Sequence, residues 1–374
     1  MDGPLKGIRV IEIGQALAGP LAGAILADMG ADVIKIEKPD GGDDARGWGP
    51  PFVEEASIMF HVTNRNKRSV TLDMKSVAGI EKLKGLVRDA DILIQNLRSG
   101  VVSDLGIGPE DMTAINPRLI YCSIWAFGSR GPLSKAPGFD PLLQAYSGVM
   151  MQTGRHGDPP TFCAPAINDK ATAQWCVIGA LAALQQRHIT GKGCVIDTSL
   201  LDSAASWVDS SLATYHVTQE LSPRTGTAAS AIVPYQVFET SDNPMVIAAG
   251  YDRLFHKCAA VLGFPEWATD PRFARGRDRF LNRDVLIDLM SVVLRTKSRA
   301  EWIAAFEAVG VPCSPVNTIV ELSQTEQFKA ADLVRTLPSS GLPVIGLPIS
   351  FDGQRPHPHS GAPKLGEHND EVLG

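Results

Sequence analysis

The sequence has no long apolar run. A membrane-spanning helix needs roughly 18 or more consecutive apolar residues, and no such stretch occurs. Nor does a basic segment followed by an apolar one open the chain, so no secretion leader is expected. Cysteine pairs are missing too. Cys122, Cys163, Cys176, Cys194, Cys258 and Cys313 are dispersed, none lies in a C-x-x-C, and most sit in apolar runs. They read as reduced structural thiols of an intracellular, cytoplasmic protein. The eight histidines contain no H-x-x-x-H or H-E-x-x-H, and the nearest pair, His357 and His359, lies in a Pro-rich tail. No metal site is expected. Positive charge is not in excess either. The net charge of −6 argues against nucleic acid or an anionic membrane as a partner.

What is present is an ordinary globular composition, 374 residues with 44% apolar and 20% charged, enough for a large core and two domains. The first half alternates β-rich runs with helical patterns. "GIRVIEI" reads as a strand and "PLAGAILADMG" as a helix, with Pro20 suited to the first turn and Gly30 to the stop. "ADVIKIE", "SVTLDM", "DILIQN" and "PRLIYCSI" read as further strands, and "SVAGIEKLKGLVRDA" as a crossover helix. Such alternation predicts parallel strands in an α/β core. After Asp169, Ala173, Val177, Ala180, Leu181 and Leu184 recur on one helical face. The expected layout is a large Rossmann-like domain over 1–205, a linker over 206–224, a smaller α+β domain over 225–325, and a segment over 326–374 that returns to the large domain.

Three features invite chemistry. The opening strand–helix–strand ends at Glu37, where a ribose-binding carboxylate would sit in a dinucleotide site. "GQALAGP" supplies only Gly14 and Gly19, however, so G-x-G-x-x-G is absent and a nicotinamide cofactor is disfavoured. "TNRNKRSVTLDMK" groups Arg65, Lys67, Arg68 and Lys75 around a strand, with Lys38, Arg46 and Arg98 near other strand ends. This is either a solvated charged edge or a binding edge for a small polyanion. Third, Asp169 stands at the mouth of a small-residue helix. It is either an N-cap or a nucleophile.

"LKGIRVIEIGQALAGPLAGAILADMGADVIKIEKPDGGDDARGWGP", "NRNKRSVTLDMK", "FGSRGPLSKAPGFDPLLQAYSG", "NDKATAQWCVIGALAALQQRHITGKG" and "APKLGEHNDEVL" resemble the class III coenzyme A transferases. That family includes formyl-CoA transferase, carnitine CoA-transferase and the α-methylacyl-CoA racemases. The resemblance implies an interlocked homodimer that takes an acyl-CoA donor and a carboxylic acid acceptor, with CoA as substrate and no tightly bound cofactor. It makes Asp169 the nucleophile, forming a mixed anhydride and then an aspartyl-CoA thioester. It places CoA against Gln15, Ala16, Leu17, Ala18, Lys38, Arg46, Leu72, Lys75, Arg98 and Phe139. The chemistry suits a carboxylate. It is expected to be ionised at neutral pH, held so by the helix N-terminus, and it needs no general base. Amides near Gln15 to Ala18 are the expected donors to tetrahedral intermediates.

Two departures narrow the reaction. The racemases carry a proton-transferring His where "PGFD" has Phe139. The glycine run of formyl-CoA transferase is absent from "AAGYDRLF", so formyl or oxalate specificity is doubtful, while Gly250 reads either as a turn lining the site or as a strand-ending glycine. The leading expectation is therefore a CoA-transferase. A racemase, a nicotinamide-dependent oxidoreductase and a silent CoA-binding protein follow it. Asp202, Asp209 and Asp252 read as caps or surface acids, and Trp48 and Tyr146 as core or ligand contacts.

Overall fold

The computed structural model describes residues 3–374. The chain divides into two compact units, one of 1–149, 162–210 and 332–374, the other of 150–161 and 211–331.

The first unit is built on six parallel strands: β1 (Arg9–Ile13), β2 (Asp32–Glu37), β3 (Lys67–Thr71), β4 (Ile92–Gln95), β5 (Ile120–Trp125) and β6 (Val195–Ser199). Their order is β3-β2-β1-β4-β5-β6. It reverses between β1 and β4, and ligands of open α/β sheets bind outside the carboxyl ends of the strands at such a reversal. Helix α1 (Ala18–Asp28) follows β1, α2 (Val77–Arg88) follows β3, α3 (Asp140–Tyr146) lies beyond β5, and α4 (Ile167–Thr190) leads into β6 and α5 (Leu200–Trp207).

Strand residues alternate between two buried faces, which explains their near-continuous apolar character. Val10, Val33, Ile92, Ile94 and Cys122 pack with Ala22 and Leu26 of α1 and with Ala173, Val177, Ala180 and Leu184 of α4. Leu181 is partly buried against the same cluster, so the whole face read from the sequence of α4 points inward. Ile11, Ile34, Leu93 and Tyr121 face the other way, onto Leu83 and Val87 of α2.

The open edge of β3 is covered by the last residues of the chain. Thr71 N–H donates to Asn369 Oδ1 at 2.8 Å and His368 N–H to the Ser69 carbonyl at 3.0 Å. Covering an edge this way blocks pairing with other strands.

The second unit holds an antiparallel sheet of β7 (Tyr235–Phe238), β8 (Met245–Ala248) and β9 (Cys313–Pro315), in the order β9-β8-β7. Helix α6 (Asp252–Leu262) contributes Phe255 and Cys258 to a core with Met290, Trp302 and Phe306. Two details differ from the expected layout. Residues 209–218, placed within the expected linker, form a helix, Asp209–Thr218, as the helical pattern of "LDSAASWVDSSLATYHV" predicts, and the division between units falls inside it. Residues 150–161, assigned to the large domain, belong to the second unit. Nothing in local composition marks where the units divide.

Candidate active site

A cavity of about 470 Å³ opens in the first unit at the carboxyl ends of β1, β4 and β5. Its walls include the turn Gln15–Ala18, Asn96 to Ser99, Trp48, Phe139, Asp140 and Asp169.

Asp169 is the third residue of α4. It does not cap that helix. The backbone N–H groups of Asn168 and Asp169 donate to Asp140 Oδ2, at 2.6 and 3.1 Å. Asp140 therefore caps α4 from the start of α3, and is itself buried. Gln144 steadies it by donating to Asp140 Oδ1, while Gln144 Oε1 accepts from Cys163 N–H at 2.8 Å. The carboxylate of Asp169 has no hydrogen-bond or ion-pair partner among the described residues. Burial, and then the neighbouring Asp140 carboxylate, push its pKa up to about 7. The expectation that the helix end keeps Asp169 fully ionised is thus corrected. The amides that would have stabilised its charge are held by a second acid.

The turn before α1 is fixed from beneath. Gln15 N–H donates to Asn96 Oδ1 and Asn96 Nδ2 donates to the Gln15 carbonyl, both at 2.8 Å. Ala16 N–H donates to Asp43 Oδ1 at 3.1 Å. The amides of Gln15 and Ala16, expected to serve the reaction, are therefore occupied. Those of Leu17 and Ala18, at the N-terminus of α1, have no partner among the described residues. Gly14 and Gly19 are needed for packing. A Cβ on Gly19 would lie 3.2 Å from Asn96 Cγ, and one on Gly14 would lie 3.1 Å from the Gly19 backbone.

Under this turn lies a buried charge cluster. Lys35 Nζ bonds to Glu12 Oε1 (2.9 Å), Asp43 Oδ2 (2.9 Å) and the Gly14 carbonyl (2.7 Å). Lys67 Nζ bonds to Glu12 Oε2 at 2.6 Å and to the Pro20 carbonyl at 2.7 Å. Burial opposes both ammonium charges. At Lys35 the carboxylates of Glu12, Asp43 and Glu37 outweigh it and raise the pKa, whereas at Lys67 burial wins and the pKa falls to about 8.

Of the predicted contacts, Gln15, Ala16, Leu17, Ala18, Arg98 and Phe139 line the cavity with Asp169, and Lys38, Arg46, Leu72 and Lys75 do not. Lys38 pairs with Asp44 at 2.6 Å. Arg46 grips both oxygens of Glu37 and lies over the Phe60 ring. The Leu72 side chain is in the core. Lys75 stands exposed in the turn after β3. Three cations of the basic stretch make ion pairs within the fold. Arg65 pairs with Asp28, Lys67 with Glu12, and Arg68 with Asp32 and Glu371, so its charges hold the fold. Arg98 is exposed and its guanidinium has no partner among the described residues.

Other candidates resolve into structural roles. Asp202 bonds to Ser199 at the start of α5, and Asp252 pairs with the buried Arg279. A Cβ on Gly250 would meet Ile232 Cγ2 at 1.9 Å, so close packing requires that glycine. Tyr146 packs edge-on against Phe127. All six cysteines are free thiols, and Cys122, Cys176 and Cys258 are buried. Among the described residues no group of three or more His, Cys, Asp or Glu is placed to hold a metal, and no helix is long and apolar enough to cross a membrane. Asp140 and Asn96 were missed in the sequence. The one signal for Asp140 is Asp-Pro opening a helix, and for Asn96 a polar residue ending an apolar strand.

Residues 5–369 match CoA-transferase family III. The chain belongs to that family. A succinyl-CoA:glutarate CoA-transferase of Mus musculus is 36% identical over 99% of this chain and 86% of its own length. An acetyl-CoA:oxalate CoA-transferase of Acetobacter aceti is 37% identical over 98% of this chain and 94% of its own. Among solved structures, a CAIB/BAIF family protein from Brucella suis superposes with a TM-score of 0.90 at 37% identity, covering 100% of both chains. Family membership displaces the nicotinamide reading of the opening strand–helix–strand. In this family III chain Glu37 serves Arg46, Ser69 and the Asp43 amide.

Proposed function

We propose that this chain is an acyl-CoA:carboxylate CoA-transferase working through a covalent aspartyl-CoA thioester on Asp169. The observation that carries the reading is the Asp169 carboxylate, without a partner among the described residues, in a cavity it lines together with Leu17 and Ala18 at the start of α1, whose amides also have none. In the first step an Asp169 oxygen attacks the thioester carbonyl. The C–S bond breaks, giving a mixed anhydride and CoA thiolate. The thiolate attacks the aspartyl carbonyl of the anhydride, forming aspartyl-CoA and releasing the donor acid as carboxylate. The acceptor carboxylate then attacks aspartyl-CoA, and the steps run in reverse to deliver acceptor-CoA and free Asp169. No net proton is consumed, so no general base is required.

The amides of Leu17 and Ala18 are the proposed donors to the tetrahedral oxyanions. Arg98, exposed and without a side-chain partner among the described residues, is the proposed cation for the CoA phosphates. Racemisation needs a base at the α-carbon. Phe139 supplies none, and no histidine lines the cavity. The named relatives make succinyl-CoA and acetyl-CoA the first donors to try, with glutarate and oxalate as acceptors.

We also propose the Rossmann-like reading of the large domain and the interlocked homodimer. The strand order supports the first. Trp175 and Ile178, half exposed on the outer side of α4, support the second. Sedimentation equilibrium should give twice the 40.0 kDa chain mass, and a monomer would reject the dimer.

The deciding experiment is intact-protein mass spectrometry after incubation with these acyl-CoAs. A CoA-sized adduct on the parent chain, absent from Asp169→Ala, supports the mechanism. No adduct with any donor, while CoA still binds, returns Asp169 to a structural role.

A further inference from the structure

We propose that Asn96 and Asp43 are positioning residues that latch the Gln15–Ala16 turn, and through it hold the Leu17 and Ala18 amides ready to donate to the acyl oxygen of a thioester under attack by Asp169. The proposal rests on the reading of Asp169 as nucleophile.

Ala16 has φ of 65°, the left-handed region that L-residues other than Asn and Asp rarely adopt. Such a conformation is unfavourable and persists only where the surroundings over-determine it. Here they do. Four backbone groups in three residues are held by side chains from elsewhere: the Gly14 carbonyl by Lys35, Gln15 N–H and carbonyl by Asn96, and Ala16 N–H by Asp43. Asn96 lies 81 residues from Gln15 in sequence, at the end of the neighbouring strand β4. Gly19 leaves room for it to approach.

Asp43 is held in turn. Its Oδ2 meets Lys35, its own N–H donates to Glu37 Oε2 at 2.9 Å, and its Oδ1 also accepts from Ala45 N–H at 2.9 Å. The turn is thereby tied to the charge cluster at the base of the sheet. What this leaves free is the pair of amides that follow, on the first residues of α1. Asn96 matches the Gln15 peptide group donor for acceptor, a geometry a ligand contact would not require. A displacement of about 1 Å at a reacting centre costs on the order of a hundredfold in rate, so a turn strained in this way needs a latch if its amides are to act.

Two variants test it. Asn96→Asp keeps the acceptor for Gln15 N–H and replaces the donor to the Gln15 carbonyl with an oxygen. Asn96→Ala removes both. Hydrogen exchange should show the Gln15 and Ala16 amides released at least roughly tenfold in each variant, with β1 still protected. At saturating acyl-CoA the rate of adduct formation on Asp169 should fall at least roughly tenfold, while the Kd for free CoA changes less than about threefold. If Asn96→Ala does not fold, Asn96→Asp carries the test alone. An unchanged adduct rate, or unchanged protection of the turn, overturns the proposal. So does a rise in Kd large enough to account for the rate loss, because Asn96 would then be a ligand contact. If the parent chain forms no adduct with any donor, the reading of Asp169 fails, and hydrogen exchange still decides whether Asn96 latches the turn.

Discussion

Two polar regions of the first unit are buried close to the same strand ends, and they are opposite in kind. Beneath the opening turn, Lys35, Lys67, Glu12 and Asp43 satisfy one another through short ion pairs. At the mouth of α4, the Asp169 carboxylate has no partner among the described residues and lies near a second acid. A buried, fully paired cluster specifies one arrangement of the backbone, and removing one member leaves an uncompensated charge. A lone carboxylate in a cavity is costly to the fold and open to chemistry. Stability and reactivity are thus assigned to different carboxylates of one sheet end.

The comparison breaks most sharply at its reactive side. Asp169→Ala should lower CoA transfer by about 10³-fold or more, measured as initial rate with succinyl-CoA and glutarate. A loss of less than about tenfold would remove Asp169 from the mechanism. On the structural side, Glu12→Gln leaves two buried lysines short of a counter-charge. It should destabilise the unit by about 3–5 kcal/mol, read from the shift in urea midpoint. A midpoint within error of the parent would mean that the cluster is not holding the sheet.

The charge of Asp169 should also act against the fold. Asp169 has a folded pKa of about 7 against an ordinary 3.8, so the folded chain binds a proton there that the unfolded chain has lost. Its contribution to stability falls as pH rises from about 4 to 7 and stays lost above that. Asp169→Asn removes the charge, and at pH 8 it should stabilise by about 1 kcal/mol after allowance for partial exposure. A Tm rise of roughly 2–4 °C follows; a lower Tm would show that the carboxylate is stabilising after all.

The smallest effect concerns tuning. Adduct formation should rise with pH through about 7 as Asp169 ionises. Asp140→Asn keeps an oxygen for the Asn168 and Asp169 amides but removes the like charge. It should move that profile toward acid, and a profile that stays in place would leave burial as the whole cause.

Periodicity exposed the strands, α1 and the inward face of α4, because those depend on residues three to four apart or alternating. It placed Asp169 at a helix start correctly. It could not show that Asp140, 29 residues earlier, takes the helix amides, nor that Asn96 reaches back to Gln15. Those pairings exist only once the sheet has formed. The same limit applies to "NRNKRS". A run of cations looks solvated or ligand-binding until its partners Asp28, Glu12 and Asp32 are brought alongside by β1, β2 and α1. Of the ten residues expected to contact CoA, those on the opening turn, Arg98 and Phe139 reach the cavity. Lys38 and Arg46 were taken by acids nearby in sequence, Asp44 and Glu37.

The edge strand β3 has a consequence for synthesis. Its outer hydrogen bonds are made by His368 and Asn369, nearly 300 residues later. Translated from its N-terminus, the chain carries β3 with a bare edge until His368 and Asn369 have been made. Nascent chains with exposed strand edges are prone to wrong pairings and are what chaperones guard. A ribosome that stops before residue 366 therefore releases a protein that has every residue of the candidate site and still lacks the strip that covers β3.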